Sequence, residues 1–196
     1  MLTTTEAIVL SLQPHSDRAH ILHAYTRACG RVNYMVYGLG RKNAAGLYAP
    51  LSLLHITAAQ PSDRPASLRT AQLRFVPNSL SIDPYKQTIA LFLSEVLYHT
   101  LRHPMPDEPM FEYLNRSVQL LDAEQQPQDF HLRFLIGLAE RLGFAIDEME
   151  HPDLYLLPRT RQKRQEQLRR LCAYFGEHID TWQAPRSLEV LSEVFD

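Results

Sequence analysis

The chain has 196 residues, 45% of them hydrophobic and 21% charged, with a mean hydropathy of −0.26 and a formal charge of −2. That balance excludes a disordered or low-complexity polypeptide. No apolar run approaches the roughly 18 residues of a membrane span and residues 1–6 carry no basic leader, so the expectation is a cytoplasmic protein with no membrane partner. Cys29 and Cys172 form no CxxC pair, which supports neither a disulfide framework nor a cysteine-rich metal site. The net charge conceals an asymmetry. Residues 1–80 carry +5, with eight cations (Arg18, Arg27, Arg31, Arg41, Lys42, Arg64, Arg69, Arg74) against Glu6, Asp17 and Asp63, while the remainder carries −7. Clustered cations favour a polyanion, because phosphate neutralisation releases counterions.

The first 76 residues alternate with period two between turn signals, which predicts strands. Residues 6–12 place Ile8, Leu10 and Leu12 on one face and are closed by a turn at residues 14–17. Residues 19–26 form a second strand, ending at Cys29-Gly30. In residues 31–37, Val32, Tyr34 and Val36 face one way, and Arg31, Asn33, Met35 and Tyr37 the other. A glycine-bearing loop covers residues 38–46, and residues 51–58 and 68–75 make strands four and five around a proline-bracketed turn. Five short strands without a long helix among them make a small barrel, of OB or SH3-like type.

Beyond Pro77 the period changes to about 3.6. Asp83-Pro84 is an N-cap followed by an N1 proline, opening a helix that Pro104 ends. Residues 104–109 read as a connection. Phe111, Leu114, Val118 and Leu121 define a second helix, and residues 130–142 a third with Gly143 as its stop. Residues 148–158 are irregular, residues 161–179 give a fourth helix and residues 187–195 a last one. The fold class is therefore α+β, with a five-stranded β-barrel in residues 1–80 and an all-α domain in residues 81–196.

Catalytic and metal constellations fail on spacing. Gly38-x-Gly40 has Asn43 where a third glycine belongs and precedes a loop, which meets neither dinucleotide nor Walker geometry. The His20/His23 pair points to opposite faces of a strand, and the helical His99/His103 pair lacks a third ligand. The acidic run around His151 (Asp147, Glu148, Glu150, Asp153) fits no calcium loop, and a hydrolase built on it is the weakest of the available functions. No catalytic residue, metal or cofactor is expected. An OB groove tracks a phosphate backbone with cations and stacks bases on aromatic rings. Arg31, Arg41, Lys42, Arg69 and Arg74 are the phosphate candidates, with Arg18 and Arg27 behind them. Tyr37 is the stacking candidate, since Tyr34 shares the core face. The basic stretch at residues 159–170 either extends this surface or is a solvated helix face.

Particular segments resemble one family. Thr26-Arg27-Ala28-Cys29-Gly30-Arg31-Val32, then Tyr37-Gly38-Leu39-Gly40-Arg41-Lys42, then Gly46-Leu47-Tyr48-Ala49-Pro50-Leu51, are similar in order and spacing to the barrel motifs of the RecO recombination mediators. Leu91-Phe92-Leu93-Ser94-Glu95-Val96-Leu97 and Phe130-His131-Leu132-Arg133-Phe134-Leu135 with Leu142-Gly143-Phe144 resemble that family's helical motifs. The resemblance implies an OB domain joined to a helical domain, and a cytoplasmic, nucleoid-associated DNA repair and recombination protein. Such a protein binds single- and double-stranded DNA, anneals complementary strands, and with RecR helps RecA replace single-strand-binding protein. It also implies a pocket for the acidic, aromatic-ended C-terminal tail of single-strand-binding protein, for which Arg133, Phe134, Leu138 and Arg141 are the candidates. Many members carry a four-cysteine zinc knob after the third helix. Residues 145–161 contain no cysteine, so this chain resembles a shortened, zinc-free branch. An RNA-binding or other OB interaction module is the alternative that the same barrel supports.

Overall fold

A computed structural model describes residues 2–39, 44–59, 64–158 and 160–194. Strands β1 (Leu2–Ser16), β2 (Ala19–Thr26), β3 (Gly30–Tyr37), β4 (Leu53–Ala59) and β5 (Ala66–Leu73) close into a barrel in the order β1-β2-β3-β5-β4. Every pairing is antiparallel except β3 with β5, which run parallel through Tyr34↔Ala66 and Met35↔Ser67. This is an OB-type barrel, and the SH3-like alternative is set aside. Its interior is filled by Ala7, Val9, Leu22, Ala24, Val32, Tyr34, Val36, Leu54 and Ile56. Tyr34 is a core residue, as the alternation of β3 requires.

β1 is much longer than residues 6–12. It pairs with β4 from Leu2↔Ala59 to Ile8↔Leu53 and then with β2 from Ala7↔Thr26 to Ser16↔Ala19. Two register shifts, at Leu10 and at His15, bend it around the barrel, so Pro14 lies inside the strand instead of ending it. The first bulge also changes which face a side chain takes. Ala7 and Val9 point into the barrel, Ile8 and Leu10 point out into the helical core, and Leu12 returns to the barrel cluster. The expectation that Ile8, Leu10 and Leu12 share a face fails there, because an extra residue inverts the alternation.

The helices are α1 (Ala44–Leu47), α2 (Pro84–Thr100), α3 (Glu108–Ala123), α4 (Phe130–Arg141), α5 (Pro152–Tyr155), α6 (Arg161–His178) and α7 (Ser187–Val194), with a 3-10 turn at Pro127–Asp129 before α4. Asp83 caps α2 by accepting from the backbone N–H groups of Tyr85 and Lys86. α3 begins inside the expected connection, because Asp107 caps it by accepting from Met110 N. Gly143, at φ +91°, turns the chain away after α4. α5 is a single turn within the stretch expected to be irregular.

The helical core is continuous with the outer surface of the barrel. Ile8, Leu10, Tyr25, Leu51 and Leu53 join Phe92, Leu93, Val96, Phe111 and Leu114 in one buried cluster. The connecting segment is clamped as well. The Asp122 carboxylate accepts from the backbone N–H groups of Asn78, Ser79 and Leu80 at 2.7–3.0 Å. Burial pushes its pKa up, but these bonds outweigh burial and hold it below the ordinary carboxylate value. Lys86, only 4% exposed, donates to Ser79 Oγ at 2.6 Å and to the Asp122 carbonyl at 2.7 Å.

The turn between β2 and β3 shows what the Thr26-to-Val32 motif does. Thr26 Oγ donates to the Gly30 carbonyl (3.0 Å) and accepts from Cys29 N–H (3.1 Å). Gly30 has φ +64°, and a Cβ there would overlap Met105 O and lie 2.8 Å from His103 O. Arg31 N donates to the same His103 carbonyl at 3.1 Å. Gly30→Ala should therefore lower stability by more than the roughly 1–2 kcal/mol of a left-handed alanine, because the 103–105 segment must also move. A urea midpoint within error of wild type would refute this account of the glycine.

His131 is buried in the helical core, edge-on to Phe92. Burial, with a smaller push from Arg164, lowers its pKa from 6.5 to about 3. Below pH 6.5 the unfolded chain takes up a proton that the folded chain refuses, so stability falls on acidification from 6.5 towards 3. The slope for this one group is about 1.4 kcal/mol per pH unit. Denaturation midpoints at pH 7, 6, 5 and 4 should show a component of that size, and His131→Leu should remove it. An unchanged slope in that variant would sink the assignment.

Candidate nucleic-acid interface

The cations of the barrel sort into two groups. Arg27, Arg31 and Arg74 lie where the barrel meets the helices. Arg27 pairs with Glu6 (2.7 Å), Glu108 and Glu112, and its guanidinium lies 4.5 Å from the centre of the Phe111 ring. Arg74 reaches Glu6 at 3.5 Å and bonds to Asn115 Oδ1. Arg31 lies 4.4 Å from the centre of the Tyr98 ring and donates to the Tyr98 and Leu101 carbonyls at the C-terminus of α2. Burial lowers its pKa to about 10, which leaves it charged at neutral pH. Cations held by carboxylates, rings and a helix end are junction residues. Of the phosphate candidates, the structure therefore places these three in contacts within the protein.

The second group lies at the other end of β3. Tyr37 is 64% exposed and pairs with Ala19 across the β2–β3 ladder. Arg18 is exposed in the β1–β2 turn, and its carbonyl accepts from Gly38 N–H at 3.3 Å, which brings the turn against the residue after Tyr37. β5 runs parallel to β3, so Arg69 lies towards the Tyr37 end, exposed as the extra residue of a bulge between Leu68 and Thr70. Arg64 stands just ahead of β5. Arg41 and Lys42 follow Tyr37 in sequence and lie outside the described residues. Asn33, Met35 and Ile21 continue the outer face between these cations. Further down, that face is covered: Tyr98 meets His23 edge-on at 5.1 Å, and Phe111 stacks on Tyr25 at 6.4 Å. Alternation foresaw Tyr37. Tyr98, Phe111, Glu108 and Glu112 carry no local signal of their role, because each acts on a residue far away in sequence.

The helical candidates gather around a cleft of about 500 Å³ between α3 and α4, lined by Tyr113, Leu120, Phe130, Arg133 and Phe134 among others. Arg133 pairs with Glu124 at 2.7 Å and lies 6.0 Å from the centre of the Phe130 ring. Arg141 sits 3.9 Å from the centre of the ring of Tyr113, a lining residue of the cleft. Leu138 is fully buried in the core and does not line it, which corrects that expectation. Tyr113 and Phe130, which the sequence reading passed over, take its place. On α6, Arg164 pairs with Asp129 at 3.6 Å and Arg170 with Asp153, while Lys163 and Arg169 are exposed. Arg159 lies outside the described residues. Among the described residues, no three His, Cys, Asp or Glu side chains cluster as a metal site would require, and no helix is long and apolar enough to cross a membrane.

These features define an OB-barrel protein with a docked helical domain, an exposed aromatic residue at the end of β3 near Arg18 and Arg69, and an apolar cleft edged by arginine. Residues 1–74 match the family model described as recombination protein O N terminal, and residues 82–152 the one described as recombination protein O C terminal. The chain is 28% identical to the DNA repair protein RecO of Christiangramia forsetii over 239 aligned residues, spanning the whole of both chains. It is 35% identical to that of Phocaeicola vulgatus over 148 residues, covering 73% of this chain and 61% of the relative. With the RecO of Bacteroides fragilis the identity is 26% over 242 residues, again the whole of both. The full-length alignments are longer than the 196-residue chain, so those relatives contain segments that this chain lacks. The chain belongs to the RecO family of DNA repair proteins.

Proposed function

We propose that this chain is a recombination mediator that binds single- and double-stranded DNA at the open end of its barrel and anneals complementary strands. With RecR, it helps RecA onto strands coated by single-strand-binding protein. The observation that carries this reading is the exposure of Tyr37 between Arg18 and Arg69, at the barrel end from which Arg41 and Lys42 follow. Annealing requires charge neutralisation and bases left free to pair, which cations on a shallow surface supply without covalent chemistry. The protein acts as a binder, not an enzyme, in the cytoplasm beside the nucleoid. Strand affinity is mainly electrostatic, with Tyr37 adding one stacking contact.

Anisotropy of a fluorescent single-stranded oligonucleotide across a salt series tests the reading. Each phosphate contact contributes about 0.7 to the log–log slope, so Arg18→Glu/Arg69→Glu should flatten it by roughly 1 to 2. Tyr37→Ala should weaken binding by about 1–3 kcal/mol while leaving the slope unchanged. A slope that survives the double charge reversal, or no binding even at low salt, would overturn the proposal.

The cleft between α3 and α4 suits the tail of single-strand-binding protein. An aromatic side chain fits among Tyr113, Phe130 and Phe134, and acidic groups meet Arg133 and Arg141 at the edge. A labelled peptide with acidic residues and a terminal phenylalanine should bind, and Arg133→Glu should weaken it about tenfold, the worth of one charge-assisted hydrogen bond. Equal binding by that variant would remove the cleft from consideration.

A further inference from the structure

A second cleft, of about 480 Å³, opens between β1 and α2. Its volume lies within the roughly 300–1,000 Å³ of small-molecule sites. Leu10, Pro50, Leu91, Tyr48 and Tyr98 supply apolar and aromatic walls, and Gln13, Glu95, His99, Gln183 and Arg186 bring polar groups to it. The Glu95 carboxylate is held in place, since Oε2 accepts from Ser187 N–H at 3.0 Å and from Ser187 Oγ at 2.8 Å, leaving Oε1 for the cleft. The side chains of Gln13, Gln183 and Arg186 make no hydrogen bond or ion pair among the described residues. Burial first, then Arg102, keeps the pKa of His99 below its ordinary value against the opposing pull of Glu95. The large apolar cleft beneath Phe75 differs, because its Ser52, Ser81 and Gln87 side chains are already bonded to backbone carbonyls.

We propose that the cleft between β1 and α2 takes an unpaired, amine-bearing nucleobase from a bound single strand. This rests on the reading of the barrel as a DNA-binding surface. Gln13 pairs with Ile21 in the hairpin whose turn carries Arg18. Tyr98, a wall of the cleft, covers His23 and Arg31 of the β2–β3 face, so cleft and strand path meet at the β1–β2 hairpin. The cleft therefore adjoins the proposed strand path. A carboxylate in its lining repels phosphate, so the ligand enters base first, with its phosphate left towards Arg186. The free carboxylate oxygen only accepts hydrogen bonds. Cytosine, adenine and guanine present an exocyclic amine to it, whereas thymine presents one ring N–H flanked by two carbonyl oxygens.

The test compares a cytosine-only with a thymine-only oligonucleotide of equal length, at fixed salt, by anisotropy. Wild type should prefer the cytosine strand about tenfold. In Glu95→Gln, the Ser187 donors hold the amide oxygen and turn the amide NH2 into the cleft, so the preference should vanish or reverse. Gln183→Trp, at an exposed loop position, should block the cleft and equalise the two strands. It decides the matter if the Glu95 variant does not fold. Equal affinity of wild type for both strands, or a preference that survives both substitutions, overturns the base pocket and leaves the barrel reading intact. Failure to bind either strand at low salt overturns both.

Discussion

Burial of β1 on both faces is the constraint from which the rest of the structure follows. Ala7, Ile8, Val9 and Leu10 are consecutive and all buried, two inside the barrel and two against the helices. A barrel alone would expose Ile8, Leu10, Tyr25, Leu51 and Leu53 to water. Each such side chain is worth about 1.5–3 kcal/mol when buried, so together they approach the net stability of an entire domain. The helices are thus part of what makes the barrel soluble, and the two halves share a core even though their secondary structure is segregated along the chain.

That docking also redistributes charge. The basic first half and acidic second half are complementary to each other before either meets a ligand. Glu108, Glu112 and Asn115 on α3 take Arg27 and Arg74, with Glu6 between the two arginines, and the C-terminal end of α2 takes Arg31. Part of the +5 that pointed to a polyanion is therefore neutralised within the molecule. Among the described residues, the barrel cations that remain exposed, Arg18, Arg64 and Arg69, lie away from the junction, and the proposed phosphate-binding surface rests on their position more than on the total charge.

The parts of the fold that were legible in the sequence are those set by local periodicity and turn chemistry. β2 spans the residues its pattern marks, Tyr34 and Tyr37 separate as inward and outward residues, and Asp83 and Gly143 bound their helices. The bulges of β1 were not legible, because one extra residue leaves no mark in a pattern already apolar at every position from Ala7 to Leu10. Neither were the junction arginines: Arg27 finds Glu108 and Glu112 across more than 80 residues of sequence. An arginine on an outward strand face reads the same whether a phosphate or another domain lies over it. Leu138 failed for the converse reason, since a helical repeat gives the apolar side without saying which of its residues borders a cleft.

The covered half of the β2–β3 face bears on the kind of strand contact the proposed function would use. Single OB barrels track about 4 to 16 nucleotides, but here Tyr98 and Phe111 sit over His23 and Tyr25, and Arg31 is turned into the junction. On the barrel's outer face, a strand on the proposed path is left the Arg18–Tyr37–Arg69 end, together with the loop that follows. Few phosphate contacts mean modest affinity, a shallow salt dependence and fast release. For a protein that coats DNA this would be a defect. For one that brings two strands together it is an advantage, because each pairing step must displace protein from the bases, and a short cationic foothold resists that displacement less than a long groove.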